Sequence, residues 1–317
     1  MSETIGVDVG GTKIAVAMLR GGKLGEPSLR PTVEGDAEEL LAEIIDAVNG
    51  LRTPATEAVG VGVPSVVDFA SGRLRSSVNV PFQDLPVRGL LTERLGLPVF
   101  VDNDATLAAL AEAYEEGRIA VDSLIIFTVG TGVGGGLVLG GKVHRGRTGA
   151  AGEVGHTIVG MDLERGAPPP SEFPQAGSLE SLAAGRELDR LAEAAAQAEP
   201  KSALGRRLAE VGEVSGADAV DAARDGDEAA VDALRILGER LGIGIANAIN
   251  LLEPEVVVIG GGVSSAGDLI LEPARRVAMQ YVLDGVGTET EIRLARRGNE
   301  AGVLGAALLA AIEHGGI

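Results

Sequence analysis

The chain has 317 residues, enough for two domains that each bury a core of their own. Hydrophobic residues make up 45% of it but aromatic ones only 2%, so the cores are expected to be built from Val, Leu, Ile and Ala. A formal net charge of −19 argues against nucleic-acid and anionic-membrane partners, and the absence of cysteine excludes disulfides, thiol catalysis and Cys-ligated zinc.

Residues 5–8 read as a buried strand and 14–19 as a second, joined by a tight glycine turn, after which Gly21-Gly22 turns the chain again. No basic leader or cleavage signal precedes the first strand, and no apolar run approaches the ~18 residues of a membrane span, so a cytoplasmic protein is expected. Asp36 reads as a helix N-cap, with Leu40, Leu41, Ile44, Ile45 and Val48 recurring behind it at helical spacing. Residues 59–63 and 99–101 read as short apolar strands, the second leading through Asp102-Asn103-Asp104 into a helix over 105–116. Such alternation indicates an α/β domain.

The second half begins similarly, with an apolar strand over 124–129, Gly130-Thr131-Gly132, and a strand over 136–139. Helical stretches occupy much of 178–250. Residues 255–259 form a buried strand running into Gly260-Gly261-Gly262, and 301–313 carry the pattern of a final amphipathic helix. Val9-Gly10-Gly11-Thr12 followed by Gly21-Gly22-Lys23 is echoed by Val129-Gly130-Thr131-Gly132 followed by Gly140-Gly141-Lys142. Two similar hairpins, about a domain's length apart, suggest two related domains facing one ligand.

The segment Asp8-Val9-Gly10-Gly11-Thr12-Lys13 lies between strands, so it is neither a Walker A loop nor a dinucleotide fingerprint. Its glycines let main-chain N–H groups approach a phosphate closely, Thr12 and Lys13 can donate to phosphate oxygens, and Asp8 is placed to hold Mg²⁺ directly or through water. Alone, a Gly-Gly hairpin is more often only a turn. Two further glycine clusters at strand ends, 130–136 and 260–262, are hard to explain as independent turns, and an acidic protein must attract a nucleotide with such local groups.

With these motifs in this order, the chain resembles the ROK family of repressors, open-reading-frame proteins and kinases, within the actin/hexokinase/heat-shock ATPase superfamily. The resemblance runs from Asp8 to the terminal helix and rests on residues 8–13, 101–105, 128–136, Glu153-Val154-Gly155-His156 and Gly177-Ser178-Leu179-Glu180. It implies a two-domain actin-like (ribonuclease H-like) α/β fold with an interdomain cleft, a smaller domain of residues 1–115 plus 301–317 and a larger one of 116–300. It also implies ATP and Mg²⁺ as cofactors, a homodimer or homotetramer, and phosphorylation of a hexose at its 6-hydroxyl, with glucose the expected sugar.

By this resemblance Asp104 is the general base. By itself, Asp before a helix is more often an N-cap. The sugar is expected at Asn79, Asn103, Asp104, Glu153, His156 and Glu180, where carboxylates, carboxamides and imidazole can both donate to and accept from hydroxyls. The nucleotide is expected at Gly10, Gly11, Thr12, Lys13, Thr131, Gly132, Gly261 and Gly262, with Asp8 holding its Mg²⁺.

The departures are specific. ROK kinases mostly carry a cysteine-rich zinc loop that includes the motif's His. Here residues 157–177 contain neither Cys nor His, Ser178 stands where the family has Cys, and residues 165–174 are rich in Pro. No structural zinc is therefore expected, with proline stiffening the loop instead. Ser65 also replaces the Gly expected after Pro64. Alternatives are a kinase for fructose, mannose, N-acetylmannosamine or N-acetylglucosamine, a polyphosphate-using glucokinase, or a sugar-sensing regulator. The regulator is disfavoured by the charge and by a chain that starts at the first kinase strand.

Overall fold

The chain opens with β1 (Glu3–Val9) antiparallel to β2 (Lys13–Arg20), in continuous register from Glu3 opposite Arg20 to Val9 opposite Ile14. The computed structural model describes residues 3–32, 35–77 (76 and 77 as backbone only) and 80–315. Strands β3 (Lys23–Leu24) and β4 (Ser28–Pro31) both pair with β2. Helix α1 (Ala37–Leu51) starts at Asp36, whose carboxylate accepts from the N–H groups of Glu38 and Glu39. It buries Leu40, Leu41, Ile44 and Val48 of the predicted stripe.

Strand β5 (Thr56–Val63) runs parallel to β1, β6 (Ser65–Asp68) and β7 (Arg73–Ser77) form a hairpin, and α2 (Val87–Leu95) leads to β8 (Val99–Asn103), parallel to β5. The first sheet thus has the order β3–β2–β1–β5–β8. Its core joins Ile5, Val7, Val59, Val61, Val101 and Leu91 with Leu40 and Ile44, the aliphatic interior that the composition called for.

Helix α3 (Asp104–Ala113) ends three residues before the predicted 116. There β9 (Tyr114–Glu115) and β10 (Arg118–Ile119) form a small hairpin around Glu116 and Gly117, both at positive φ (48° and 91°), a conformation a right-handed helix cannot contain.

Strands β11 (Ser123–Val129), β12 (Val133–Leu139) and β13 (Lys142–Val143) follow. β12 begins at Val133, three residues before the expected 136, so Gly134 and Gly135 lie in the strand and not in the turn before it. The backbone explains Gly136: a Cβ there would overlap the carbonyl of Ala105 in α3.

Helices α4 (Leu179–Ala183), α5 (Gly185–Ala198), α6 (Ala203–Val211), α7 (Gly216–Arg224) and α8 (Glu228–Leu252) precede β14 (Val256–Gly260), α9 (Asp268–Tyr281), β15 (Glu291–Leu294) and α10 (Ala301–Glu313). The second sheet has the order β13–β12–β11–β14–β15.

The sequence echo has a structural counterpart. β1 and β11 show the same succession of buried and partly buried residues. Both hairpins then turn on glycine pairs in the left-handed region, Gly21 and Gly22 at φ 58° and 76°, Gly140 and Gly141 at 59° and 69°.

The last helix departs from expectation. α10 is not amphipathic, because Ala301 and all residues from Val303 to Ala311 are buried. It packs on β1 and β5 and also against α3, so small residues serve better than a polar face.

The chain forms two compact units, one of Met1–Leu124, Gly136–Gly152 and Arg296–Ile317, the other of Ile125–Gly135 and Glu153–Ala295. Among the described residues, no helix is long and apolar enough to cross a membrane.

Candidate active site

In the first unit, Asp8 sits one residue before the end of β1, opposite Ala15 of β2 and level with Gly62 of β5. Its carboxylate lies against the first turn of α10, where a Cβ on Gly302 would overlap it. Burial, and next the negative charge of Asp104, push its carboxyl up to about 6, with Lys13 acting in the opposite sense. Two carboxylates whose charges repel suit a divalent cation, which offsets that repulsion and prefers hard oxygen donors.

The turn after Asp8 is closed by a 2.9 Å hydrogen bond from the Gly10 N–H to the Lys13 carbonyl, and the Thr32 hydroxyl donates to the Gly10 carbonyl at 2.7 Å. Gly11, Thr12 and Lys13 are exposed beyond it.

At the end of β8, Asn103 and not Asp104 is the N-cap of α3. The Asn103 Oδ1 accepts from the Thr106 N–H at 3.0 Å. Asp104 is the first helical residue, and its Oδ1 accepts from its neighbour's N–H (Ala105, 2.8 Å) and from the Asn103 Nδ2 (3.1 Å). The same Nδ2 reaches the Ser65 carbonyl at 3.4 Å. The Asn-Asp pair is therefore a cross-braced unit at a strand end. Asn79, the other sugar residue expected in this half, lies outside the described residues.

In the second unit, Glu153 precedes a single 3₁₀ turn, Val154–His156, and its carboxylate lies 3.8 Å from the His156 Nε2. Phe173, from the proline-rich segment, meets the His156 ring edge-on at 5.5 Å. Ser178 is wholly buried and caps α4, its Oγ accepting from the Ser181 N–H at 3.2 Å. A bridge between Ile158 and Ser178, and a 2.9 Å bond from the Leu179 N–H to the Thr157 carbonyl, tie the start of α4 to the 3₁₀ turn. Glu180 is thus held close in structure to the Glu153–His156 segment. Its Oε2 accepts from the Val133 N–H at 2.8 Å, just after the glycine turn.

That turn, 130–132, is closed by a 2.9 Å bond from the Gly130 N–H to the Gly132 carbonyl. It edges a cavity of about 640 Å³ whose lining includes Gly130, Thr131 and Gly262 together with the N-terminal turns of α5 and α7, at Gly185 and Gly216. A Cβ on Gly130 or Gly262 would meet nothing of the protein. The neighbouring Gly261 is different: at φ 80° it lies against the backbone of Val129 and is needed by the fold.

The Gly185 N–H donates to the Gly130 carbonyl at 2.7 Å, and the Gly216 N–H donates to Asp189 at 2.6 Å. The contributions of α5 and α7 were missed in the sequence, where 178–250 read only as helical. Glycines opening the helices at 185 and 216 were the available signal. The Gly130, Gly185 and Gly216 N–H groups are thus engaged within the protein, and what the two helix N-termini bring to the cavity is the positive ends of their dipoles, which favour an anionic ligand.

The two sheets of identical strand order, with carboxylates and glycine turns at strand ends, are the α/β architecture of the actin-like superfamily. Within it the chain belongs to the ROK family, whose model matches residues 4–313. A glucokinase of Halalkalibacterium halodurans is 36% identical over 309 residues, covering 95% of this chain and 92% of that protein. One of Streptomyces coelicolor is 35% identical over 319 residues, 98% of each chain. The crystal structure of a ROK family glucokinase from Streptomyces griseus, in complex with glucose and AMPPNP, matches with a TM-score of 0.79 at 35% identity, covering 98% of this chain and 100% of that one.

Proposed function

We propose that the protein is an ATP-dependent glucose kinase that makes glucose 6-phosphate. The observation that carries this reading is the Asn103–Asp104 pair at the end of β8, near enough to Asp8 for the charge of Asp104 to raise its pKa. It is supported by relatives named as glucokinases and by the ligands of the Streptomyces griseus enzyme.

In the reaction, the 6-oxygen of the sugar forms a bond to the γ-phosphorus as the bond between that phosphorus and the β,γ-bridging oxygen breaks, and ADP leaves. Asp104 accepts the proton of the 6-hydroxyl. Asn103 braces Asp104 and contributes to sugar binding. Asp8 holds the Mg²⁺ that accompanies the nucleotide, and Gly10, Gly11, Thr12 and Lys13 donate to phosphate oxygens. Glu153, His156, Glu180 and Asn79 bind sugar hydroxyls. Thr131 and Gly132 serve the phosphates, and Gly261 and Gly262 border the nucleoside, for which a cavity of about 640 Å³ is of suitable size. The resemblance implies a cytoplasmic homodimer or homotetramer and a smaller domain of 1–115 with 301–317.

The test is a coupled ADP-release assay across glucose, fructose, mannose, N-acetylglucosamine and N-acetylmannosamine, with ATP or polyphosphate as donor. Glucose with ATP is expected to give the highest kcat/KM. A higher value for another sugar or for polyphosphate reassigns the substrate, and no turnover with any pair ends the kinase reading.

A further inference from the structure

Asp102 is 1% exposed, immediately precedes the Asn103–Asp104 pair, and has no part in the roles given above. Its two oxygens are divided between two partners. Oδ2 accepts from the Arg145 Nε at 2.7 Å, and Oδ1 accepts from the Asn103 main-chain N–H at 2.9 Å. Arg145 is fixed in turn. Its guanidinium lies over the Phe69 ring, 3.6 Å from the centroid, and its Nη2 stands 3.7 Å from Glu313 at the end of α10. One arginine therefore gathers the end of β8, the turn of the β6–β7 hairpin and the last residue of the terminal helix.

Burial pushes the Asp102 carboxyl above the usual carboxylate range, and the Arg145 charge opposes that shift. A buried carboxylate needs such a partner, and losing one side of the pair leaves an uncompensated charge. Its second oxygen also needs a donor once buried, and here that donor is the peptide N–H of Asn103. That bond sets the orientation of the residue that caps α3 and braces the carboxylate of Asp104. A planar guanidinium stacked on a ring has few alternative poses, and a lysine would lack both the stacking plane and the fork.

We propose that Arg145 is a positioning residue for phosphoryl transfer: through Asp102 it fixes the Asn103 peptide, and with it the Asn103–Asp104 pair. The inference rests on the reading of Asp104 as the proton acceptor.

The experiment measures kcat and the KM for glucose and ATP, with thermal unfolding, for Arg145→Met, Arg145→Lys, Asp102→Asn, Arg145→Met/Asp102→Asn and Asp104→Asn. Arg145→Met is expected to lower kcat by about tenfold or more, with the KM for ATP within about twofold of the parent. Arg145→Lys and Asp102→Asn are expected to fall between it and the parent. The double variant is expected to exceed Arg145→Met, because the new carboxamide oxygen can still accept from the Asn103 N–H and no unpaired charge is left. A purely structural pair would lower the melting temperature and leave kcat per folded molecule unchanged.

If Arg145→Met does not fold, Arg145→Lys and Asp102→Asn decide the matter, and kcat within about twofold of the parent in both overturns the inference. Asp104→Asn separates the two readings. Loss of turnover there with unaffected Arg145 variants removes only the positioning role, whereas an active Asp104→Asn removes both.

Discussion

Glu180 accepts a 2.8 Å hydrogen bond from the main-chain N–H of Val133, so a carboxylate assigned to the sugar also holds the strand that leaves the glycine turn. A Cβ on Gly132 would overlap that carboxylate, which means the turn and the acid are fitted to each other. Two variants separate the two duties. Glu180→Gln keeps an oxygen able to accept from Val133 but loses the charge, and is expected to raise the KM for glucose by about tenfold while that for ATP stays within about twofold. Glu180→Ala loses both and is expected to raise both constants. Equal effects of the two variants on the KM for ATP would show that the Val133 bond does not matter to the nucleotide.

Asp8 is held in a way that costs stability in the ligand-free protein. Its folded-state pKa of about 6 lies above the ordinary value of 3.8, so folding favours the protonated carboxyl. That preference is fully present below the lower value and is lost as pH rises through the higher one. An asparagine resembles the protonated form at every pH. Asp8→Asn is therefore expected to melt at a higher temperature than the parent above pH 7, by an amount corresponding to at most about 3 kcal/mol, with the difference closing toward pH 4. The same variant is expected to have a greatly weakened response to Mg²⁺ in the kinase assay. Melting curves across pH without added nucleotide check the first part, and an Asp8→Asn that melts below the parent above pH 7 would mean that folding favours the ionised carboxylate.

Much of this architecture was legible in the sequence because backbone needs leave a strong imprint on residue choice. The two strand–glycine–strand units, the Asp36 cap and the buried strand before Gly260 follow from apolar runs bounded by residues of special conformation. What escaped was set by tertiary proximity. Gly134 and Gly135 looked like part of a turn yet lie in β12, and Gly136 is glycine because α3 passes too close for a side chain. Helix α10 looked amphipathic because the sequence does not reveal that it is covered on two sides. The Arg145–Asp102 pair joins residues 43 apart, and no local pattern marks such a partnership. The α5 and α7 contributions to the cavity were hidden for the same reason, since Gly185 and Gly216 acquire their meaning only from what they approach.

Gly261 and Gly262 are adjacent in sequence and are expected to respond oppositely to alanine. Gly261 has φ 80° and lies against the Val129 backbone, so Gly261→Ala combines strain with overlap and is expected to destabilise the fold by about 2 kcal/mol or more. Gly262 has open space where a Cβ would be, and it borders the cavity. Gly262→Ala is expected to leave the melting temperature within about 2 °C of the parent and to raise the KM for ATP severalfold. An unchanged KM for ATP in a folded Gly262→Ala would move the nucleoside away from this cavity.

Asp104 can be tested with little structural disturbance because its helix-starting bonds do not need a charge. Its Oδ1 accepts from the Ala105 N–H and from the Asn103 Nδ2, and the amide oxygen of an asparagine can accept both. Asp104→Asn is therefore expected to retain the fold and to bind glucose with a KM or Kd within a few-fold of the parent. Its kcat is expected to fall by about 10²–10⁴-fold, the range a positioned general base contributes. Removing the Asp104 charge also takes away one of the causes that raise the Asp8 pKa, so the ligand-free variant is expected to melt higher than the parent above pH 7. Steady-state kinetics, glucose titration and melting curves on one preparation check all three. A variant with more than a tenth of the parental kcat would remove Asp104 as the proton acceptor, whereas a dead variant that also fails to bind glucose would make it a sugar ligand first.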